Sequence, residues 1–156
     1  MEKIAIFPGS FDPFTVGHES IVMRARGLFD KIIVAVGVNS GKQALMSVPS
    51  RVAMINEVFV NEPKVTCDFF EGLTVDFCRK VNANYMLRGI RTAADFEYER
   101  AIAQINKKML REVESVFLLT SPEHTPINST IIRDIIRNGG DASQFLPVGI
   151  DIHKYL

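Results

Sequence analysis

The chain has 156 residues, enough for one domain with a proper core, and its 18 basic and 18 acidic side chains cancel. That balance argues against non-specific binding to nucleic acid or a membrane surface, which needs a net basic face, while leaving room for a local basic pocket. No apolar run approaches the ~20 residues of a membrane span, the N-terminus does not read as a signal peptide, and the two cysteines, Cys67 and Cys78, have no metal-ligand spacing. The expectation is one cytoplasmic domain over residues 1–156, without linker or repeat, in which both cysteines are buried small hydrophobes.

Lys3 to Phe7 reads as a first strand, followed by the polar loop Gly9-Ser10-Phe11-Asp12-Pro13-Phe14-Thr15-Val16-Gly17. A helix from His18 to Phe29 follows, with Ile21, Val22, Ala25, Leu28 and Phe29 on one face. Lys31 to Val38 is a near-continuous β-branched run, the pattern of a strand buried on both faces of a parallel sheet. Ser50 is read as the cap of a second helix reaching about Val60, with Val52, Ile55, Val58 and Phe59 inward. Lys64 to Phe70 is a third strand and Leu73 to Val81 a third helix. A short fourth strand, Asn84 to Leu87, ends in Arg88-Gly89-Ile90-Arg91. The longest helix runs from about Ala93 to Arg111, with Phe96, Ala101, Ile102, Ile105 and Met109 near one side. Ser115 to Thr120 is a fifth strand. Asn128-Ser129-Thr130 opens a helix through Ile131, Ile132, Ile135 and Ile136 that Gly139-Gly140 stops, and Pro147 is read as the start of a last short helix.

This alternation implies an α/β fold: a doubly wound, Rossmann-like, five-stranded parallel sheet with right-handed crossovers. The expected strand order is 3-2-1-4-5, which puts the switch point, and so the ligand crevice, between strands one and four. The unusual polar residues agree with it. Ser10, Gly17 and His18 follow strand one, Lys42 strand two, Leu73 and Thr74 strand three, Arg88 and Arg91 strand four, and Ser129 and Thr130 strand five. All gather on one edge of the sheet.

The loop after strand one suits phosphate. It is glycine-bearing, carries hydroxyls, and feeds a helix N-terminus that presents free N–H groups. His18 in the first turn is the catalytic candidate. Arg88 and Arg91 flank Gly89, where two guanidinium forks can grip phosphate oxygens. Lys42, taken alone, reads as an ordinary loop lysine. Ser129 and Thr130 read first as helix caps. Glu99 reads as a solvated partner of Arg100 or a lysine, with a substrate hydroxyl or amine as the alternative. Asp95, Glu97 and Glu99 form no clean metal triad, so Mg²⁺ is expected through substrate phosphates.

The stretches Pro8-Gly9-Ser10-Phe11-Asp12-Pro13 and Thr15-Val16-Gly17-His18 resemble the T/HxGH signature of the nucleotidyltransferase superfamily. Arg88-Gly89-Ile90-Arg91 with Asp95-Phe96-Glu97-Tyr98-Glu99 resembles the second signature of the bacterial phosphopantetheine adenylyltransferases, and the likeness runs over nearly the whole chain. The resemblance implies transfer of the adenylyl group of ATP to 4′-phosphopantetheine, giving 3′-dephospho-coenzyme A and pyrophosphate in coenzyme A biosynthesis. It implies that Ser10, Lys42, Thr74 and Arg88 hold 4′-phosphopantetheine. ATP would be held by Ser10, Phe11, His18, Gly89, Ile90, Arg91, Glu99, His124, Thr125, Pro126, Ile127, Asn128, Ser129 and Thr130, with His18 stabilising the transition state. It further implies Mg²⁺, a homohexamer and inhibition by coenzyme A. Ser10 stands where threonine is common, Val16 where asparagine is frequent, and His124 and Asn128 where an aromatic residue and serine are usual.

Overall fold

The computed structural model describes residues 1–41 and 43–156; Lys42 lies outside the described residues. The elements run β1 (Ile4–Gly9), α1 (Val16–Ala25), β2 (Lys31–Gly37), α2 (Val48–Val58), β3 (Val65–Phe70), α3 (Thr74–Val81), β4 (Tyr85–Ile90), α4 (Ala93–Met109), β5 (Glu114–Leu119) and α5 (Ser129–Arg137), with short 3₁₀ turns at Pro122–His124, Ser143–Phe145 and Ile152–Lys154. The five strands are parallel and ordered β3-β2-β1-β4-β5, as expected from the sequence.

The period-two alternation of the strands divides the core. Ala5, Phe7, Ile32, Val34, Val36 and Leu87 face the side covered by α1, α2 and α5, where Ile21, Val22, Met54, Ile55 and Ile132 meet them. Ile6, Ile33, Ala35 and Met86 face the other side with Val75, Phe77 and Cys78 of α3. Cys78 is buried as expected, whereas Cys67 on the edge strand β3 is only partly buried; burial pushes the Cys67 thiol up to about 12 and the Cys78 thiol up to about 11. Neither is a reactive thiolate.

One pairing in the sheet is short. β1 pairs with β2 from Ile4↔Lys31 to Gly9↔Val36. With β4 it pairs only at Ala5↔Tyr85 and Ile6↔Met86. Beyond Ile6 the two central strands part, and the sheet opens at their carboxyl ends. This is the switch point, and the parting creates a crevice there.

Several boundaries differ from the sequence reading. α1 starts at Val16, not His18, because Thr15 is its N-cap. It ends at Ala25, so Leu28 is half exposed although Phe29 stays buried. Ser47 rather than Ser50 caps α2; its hydroxyl accepts from the Ser50 N–H, with Pro49 in the first turn. β4 continues through Arg88 and Gly89, because both pair with β5. Pro147 lies between the last two 3₁₀ turns and starts no helix. The apolar side of α4 exists but does not enter the core: Phe96, Ile102, Ile105 and Met109 are all exposed, and Asn106 is the buried residue of that helix.

Candidate active site

The crevice between β1 and β4 holds two adjoining cavities. The larger, about 390 Å³, is lined by the loop after β1, by Arg88, Arg91 and Tyr98, and by the segment from Thr120 to Arg133. The smaller, about 240 Å³, is mostly apolar, with Phe70, Met86, Ile102, Ala103 and Phe117 around Thr74, Asn106 and Ser115. Pro8, Gly9, Ser10, Arg88 and Glu99 line both cavities and so form the wall between them.

His18 is held by a reciprocal cap. The Thr15 hydroxyl accepts from the His18 backbone N–H at 3.3 Å, and the Thr15 N–H donates to His18 Nδ1 at 3.0 Å. The capping box is ordinarily completed by Glu or Gln three residues after the cap; here histidine takes that role. Because Nδ1 accepts, the ring proton sits on Nε2, a tautomer assigned from this bond. Phe11 and Phe14 pack against the imidazole with ring centroids at 5.0 and 5.3 Å. Burial, followed by the charges of Arg88 and Arg91, pushes the His18 pKa down to about 3. The ring is therefore neutral at physiological pH. It is a hydrogen-bond donor rather than a cation, and a poor base.

The loop that carries Ser10 is tied down from three sides. Arg51, a buried cation on α2, donates from Nη1 to the Ser10 carbonyl at 2.8 Å and from Nε to the Met46 carbonyl at 3.1 Å. The buried Asp12 carboxylate accepts from the Leu45 and Met46 N–H groups at 2.8 and 2.9 Å. On α5, the Ser129 hydroxyl donates to the Pro13 carbonyl and Arg133 to that of Asp12. Within the loop Phe11 has a left-handed backbone, φ +49°, and a Cβ on Gly9 would stand 2.8 Å from the Phe11 ring. A side chain at position 9 would thus have to displace the Phe11 ring.

Arg88 spans the parted strands. Its Nη1 donates to the Pro8 carbonyl, and its Nε and Nη2 form a fork with the two Glu99 carboxylate oxygens at 2.9 and 2.7 Å. This corrects the sequence reading of Glu99, which pairs from α4 with Arg88 on β4 and not with Arg100; Arg100 pairs with Glu97. The Glu99 side chain is only 12% exposed. Arg91 pairs with Asp95 at 3.5 Å and donates to the Ile127 carbonyl at 3.2 Å, joining the end of β4 to the segment before α5. There Asn128, not Ser129 or Thr130, is the cap: its Oδ1 accepts from the Ile131 N–H at 2.9 Å.

Residues 6–135 match the model of the cytidylyltransferase-like family. Phosphopantetheine adenylyltransferases from Flavobacterium psychrophilum and Phocaeicola vulgatus are 49% and 46% identical to the chain. Each match covers 95% of this chain and 97% of the relative. The chain belongs to the phosphopantetheine adenylyltransferases, within the cytidylyltransferase-like family. The fold recurs in more distant structures. A bifunctional NMN adenylyltransferase/ADP ribose pyrophosphatase from Francisella tularensis matches with TM-score 0.73 at 17% identity, over 97% of this chain and 47% of that longer one. A nicotinate-nucleotide adenylyltransferase from Vibrio parahaemolyticus, described as putative, matches with TM-score 0.72 at 19% identity, over 94% of this chain and 88% of its own.

Of the residues that the phosphopantetheine adenylyltransferase resemblance singles out, the structure brings Ser10, Phe11, His18, Arg88, Gly89, Arg91, Glu99, His124, Ile127, Asn128, Ser129 and Thr130 to the larger cavity. Thr74 lies on the smaller one. Ile90 is buried in β4 away from both linings, and the linings do not include Thr125 or Pro126 either. Lys42 is outside the described residues. The sequence reading missed the cavity-lining Tyr98, Thr120, Asn106 and Arg133, and it missed Arg51 beneath the loop. Tyr98 and Asn106 carry no local signal, since any polar helix face contains such residues. Arg51 was legible only as a cation inside the apolar pattern of α2.

Proposed function

We propose that the chain transfers the adenylyl group of ATP to 4′-phosphopantetheine, releasing pyrophosphate and 3′-dephospho-coenzyme A. The observation that carries this reading is the shared wall. Two cavities of different character meet at Ser10 and Arg88, so two substrates can meet there too. The smaller, apolar cavity with a few polar groups suits a long, mostly uncharged arm that ends in phosphate. The larger one, with backbone turns and three arginines, suits a nucleoside triphosphate.

The proposed mechanism is positioning and charge stabilisation. Ser10, Thr74, Arg88 and Lys42 hold the acceptor, whose phosphate is already largely ionised at neutral pH because its second pKa is about 6. It attacks the α-phosphate of ATP in line, and no side chain has to take a proton. His18, a neutral donor fixed by Thr15, meets the charge that builds on the transferred group. Phe11, Gly89, Arg91, Glu99 and the cavity-lining His124, Ile127, Asn128, Ser129 and Thr130 hold ATP, with Glu99 also setting the Arg88 guanidinium in the wall.

Mg²⁺ is part of this proposal and would neutralise phosphate charge. The carboxylates around the larger cavity are engaged elsewhere: Asp12 by backbone N–H groups, Asp95 by Arg91 and Glu99 by Arg88. They fit a metal held chiefly by the phosphates of the substrate. We also place the chain in a homohexamer inhibited by coenzyme A. The exposed apolar side of α4 supports an interface between subunits, and the apolar lining of the smaller cavity, which would accept the pantetheine arm of substrate and end product alike, supports inhibition by coenzyme A. A turnover assay over ATP, CTP and a panel of phosphate acceptors tests the reading. Efficient turnover should be confined to ATP with 4′-phosphopantetheine; preference for CTP or for a mononucleotide acceptor would reject it.

A further inference from the structure

Asp12 and Arg51 are the buried charged side chains among the described residues. They form no ion pair with each other. Each grips main chain instead, and they meet on Met46. The Asp12 carboxylate accepts from the Met46 N–H at 2.9 Å, and Arg51 Nε donates to the Met46 carbonyl at 3.1 Å. Arg51 Nη1 then reaches back to the Ser10 carbonyl at 2.8 Å, two residues before Asp12. The contacts close a circuit that runs from Ser10 through Asp12, Met46 and Arg51 to Ser10 again. The Met46 side chain is buried in the core, so the circuit ties the loop after β1 to a fixed point.

Core packing does not call for a cation here. Arg51 lies three and four residues before the buried Met54 and Ile55, on the inward face of α2, where the helical repeat places apolar side chains. An apolar residue would fill that position without desolvating a guanidinium. It could not fix the direction of a carbonyl. The carbonyl that Arg51 fixes belongs to Ser10, which lines both cavities. The same peptide leads into Phe11, whose left-handed backbone, φ +49°, is one that a bulky L-residue keeps only when its surroundings impose it. In-line transfer needs the two substrates aligned at the wall, and a small misplacement there costs rate even when each substrate still binds. We propose that Arg51 is a positioning residue for the transfer. Acting with Asp12 through Met46, it fixes the Ser10–Phe11 peptide, and so the Ser10 hydroxyl in the wall, and it serves the rate of the reaction rather than the affinity for either substrate. This rests on the adenylyl-transfer reading and adds to it a residue that lies outside both cavity linings.

The test compares the full chain with Arg51→Met, Asp12→Asn, the double variant and Ile55→Val, a core truncation on the same helix. Single-turnover pyrophosphate formation at saturating substrates reads the rate, and titration calorimetry with ATP and with 4′-phosphopantetheine reads the affinities. Arg51→Met should lower the rate by roughly 10- to 100-fold and weaken either substrate by no more than about 3-fold. Ile55→Val should keep the rate within about 3-fold of wild type. The double variant should lose about as much as Arg51→Met alone, because the two side chains act through one circuit. An unchanged rate in Arg51→Met overturns the proposal, as do a loss confined to affinity, an equal loss of rate in Ile55→Val, or single losses that simply multiply in the double variant. If Arg51→Met does not fold, Arg51→Lys carries the test. It keeps the charge but not the planar fork that reaches both carbonyls, so its rate should fall several-fold at unchanged affinities, and a wild-type rate overturns the proposal. A wild-type chain that neither binds ATP nor releases pyrophosphate defeats the underlying reading. A wild-type chain that does both, beside Arg51 variants of undiminished rate, defeats the role of Arg51 alone.

Discussion

His18 has two jobs in this structure, and they sit on different nitrogens. Nδ1 completes the cap by accepting from the Thr15 N–H, which belongs to a buried residue. Nε2 carries the proton that the proposed chemistry uses. His18→Ala removes both. It strands a buried N–H, which costs about 1–3 kcal/mol, and deletes a transition-state donor, which costs on the order of 10²–10³ in turnover. His18→Asn separates the two jobs. Its amide oxygen takes the place of Nδ1 as acceptor, and nothing reaches the Nε2 position. The asparagine variant keeps the cap and should lose less stability in urea than the alanine variant, yet lose the same 10²–10³ in kcat at saturating substrates. Chemical denaturation and continuous pyrophosphate detection measure the two effects on the same preparations. Near-normal kcat in His18→Asn would refute the donor role. An alanine variant as stable as wild type would refute the cap.

The same ring should resist protonation. In an NMR titration its imidazole should stay neutral down to about pH 4, since burial and the two arginines hold it near 3; a midpoint at 6–7 contradicts that environment. The sign for stability follows. The unfolded histidine takes up a proton near 6.5 and the folded one does not, so its contribution falls as pH drops from about 6.5 toward 3 and is flat above. Arg88→Ala should weaken 4′-phosphopantetheine more than ATP, and Arg91→Ala the reverse, each by roughly 1.5–3 kcal/mol in separate calorimetric titrations. Arg88→Ala should also destabilise the fold by about 1–3 kcal/mol, because it leaves the mostly buried Glu99 unpaired, whereas Arg88→Ala with Glu99→Gln should recover part of that loss in urea melts. Gly9→Ala should move the Phe11 ring and lower kcat more than it raises either KM, and an unchanged kcat would show that the ring contact is not needed.

Much of the architecture was legible because it rests on local patterns. The run from Lys31 to Val38 is near-continuously apolar, and Lys31–Gly37 of it forms the buried strand β2. Among the described residues, Ser10 and His18 after β1, Thr74 after β3, Arg88 and Arg91 at the end of β4, and Ser129 and Thr130 after β5 converge on one edge, because a parallel sheet sends every carboxyl end the same way. What the sequence concealed is long-range or ambiguous chemistry. Glu99 looked like a partner for its helical neighbour Arg100, but its partner Arg88 comes from the adjacent strand, and only the folded chain brings the two together. Thr15 was hidden as a cap because histidine stands where glutamate or glutamine would have marked the box. Ser47 and Ser50 are equally good caps by type, and hydrogen bonding selects the first. Arg133 lies on α5 among isoleucines that dominate the pattern of that helix, and only the fold shows that it borders the cavity. The apolar side of α4 has helical spacing that signals burial, yet it stands open in the single chain.

The central claim is attack by the phosphate of the acceptor on the α-phosphorus of ATP at the wall formed by Ser10 and Arg88. It is tested most directly by incubating the chain with ATP, Mg²⁺ and 4′-phosphopantetheine and identifying the products by mass spectrometry. The account predicts pyrophosphate and 3′-dephospho-coenzyme A in equal amounts and no ADP. ADP with a diphosphorylated acceptor, which is the signature of attack at the γ-phosphorus, would contradict it, as would the absence of both products from a folded chain that binds ATP.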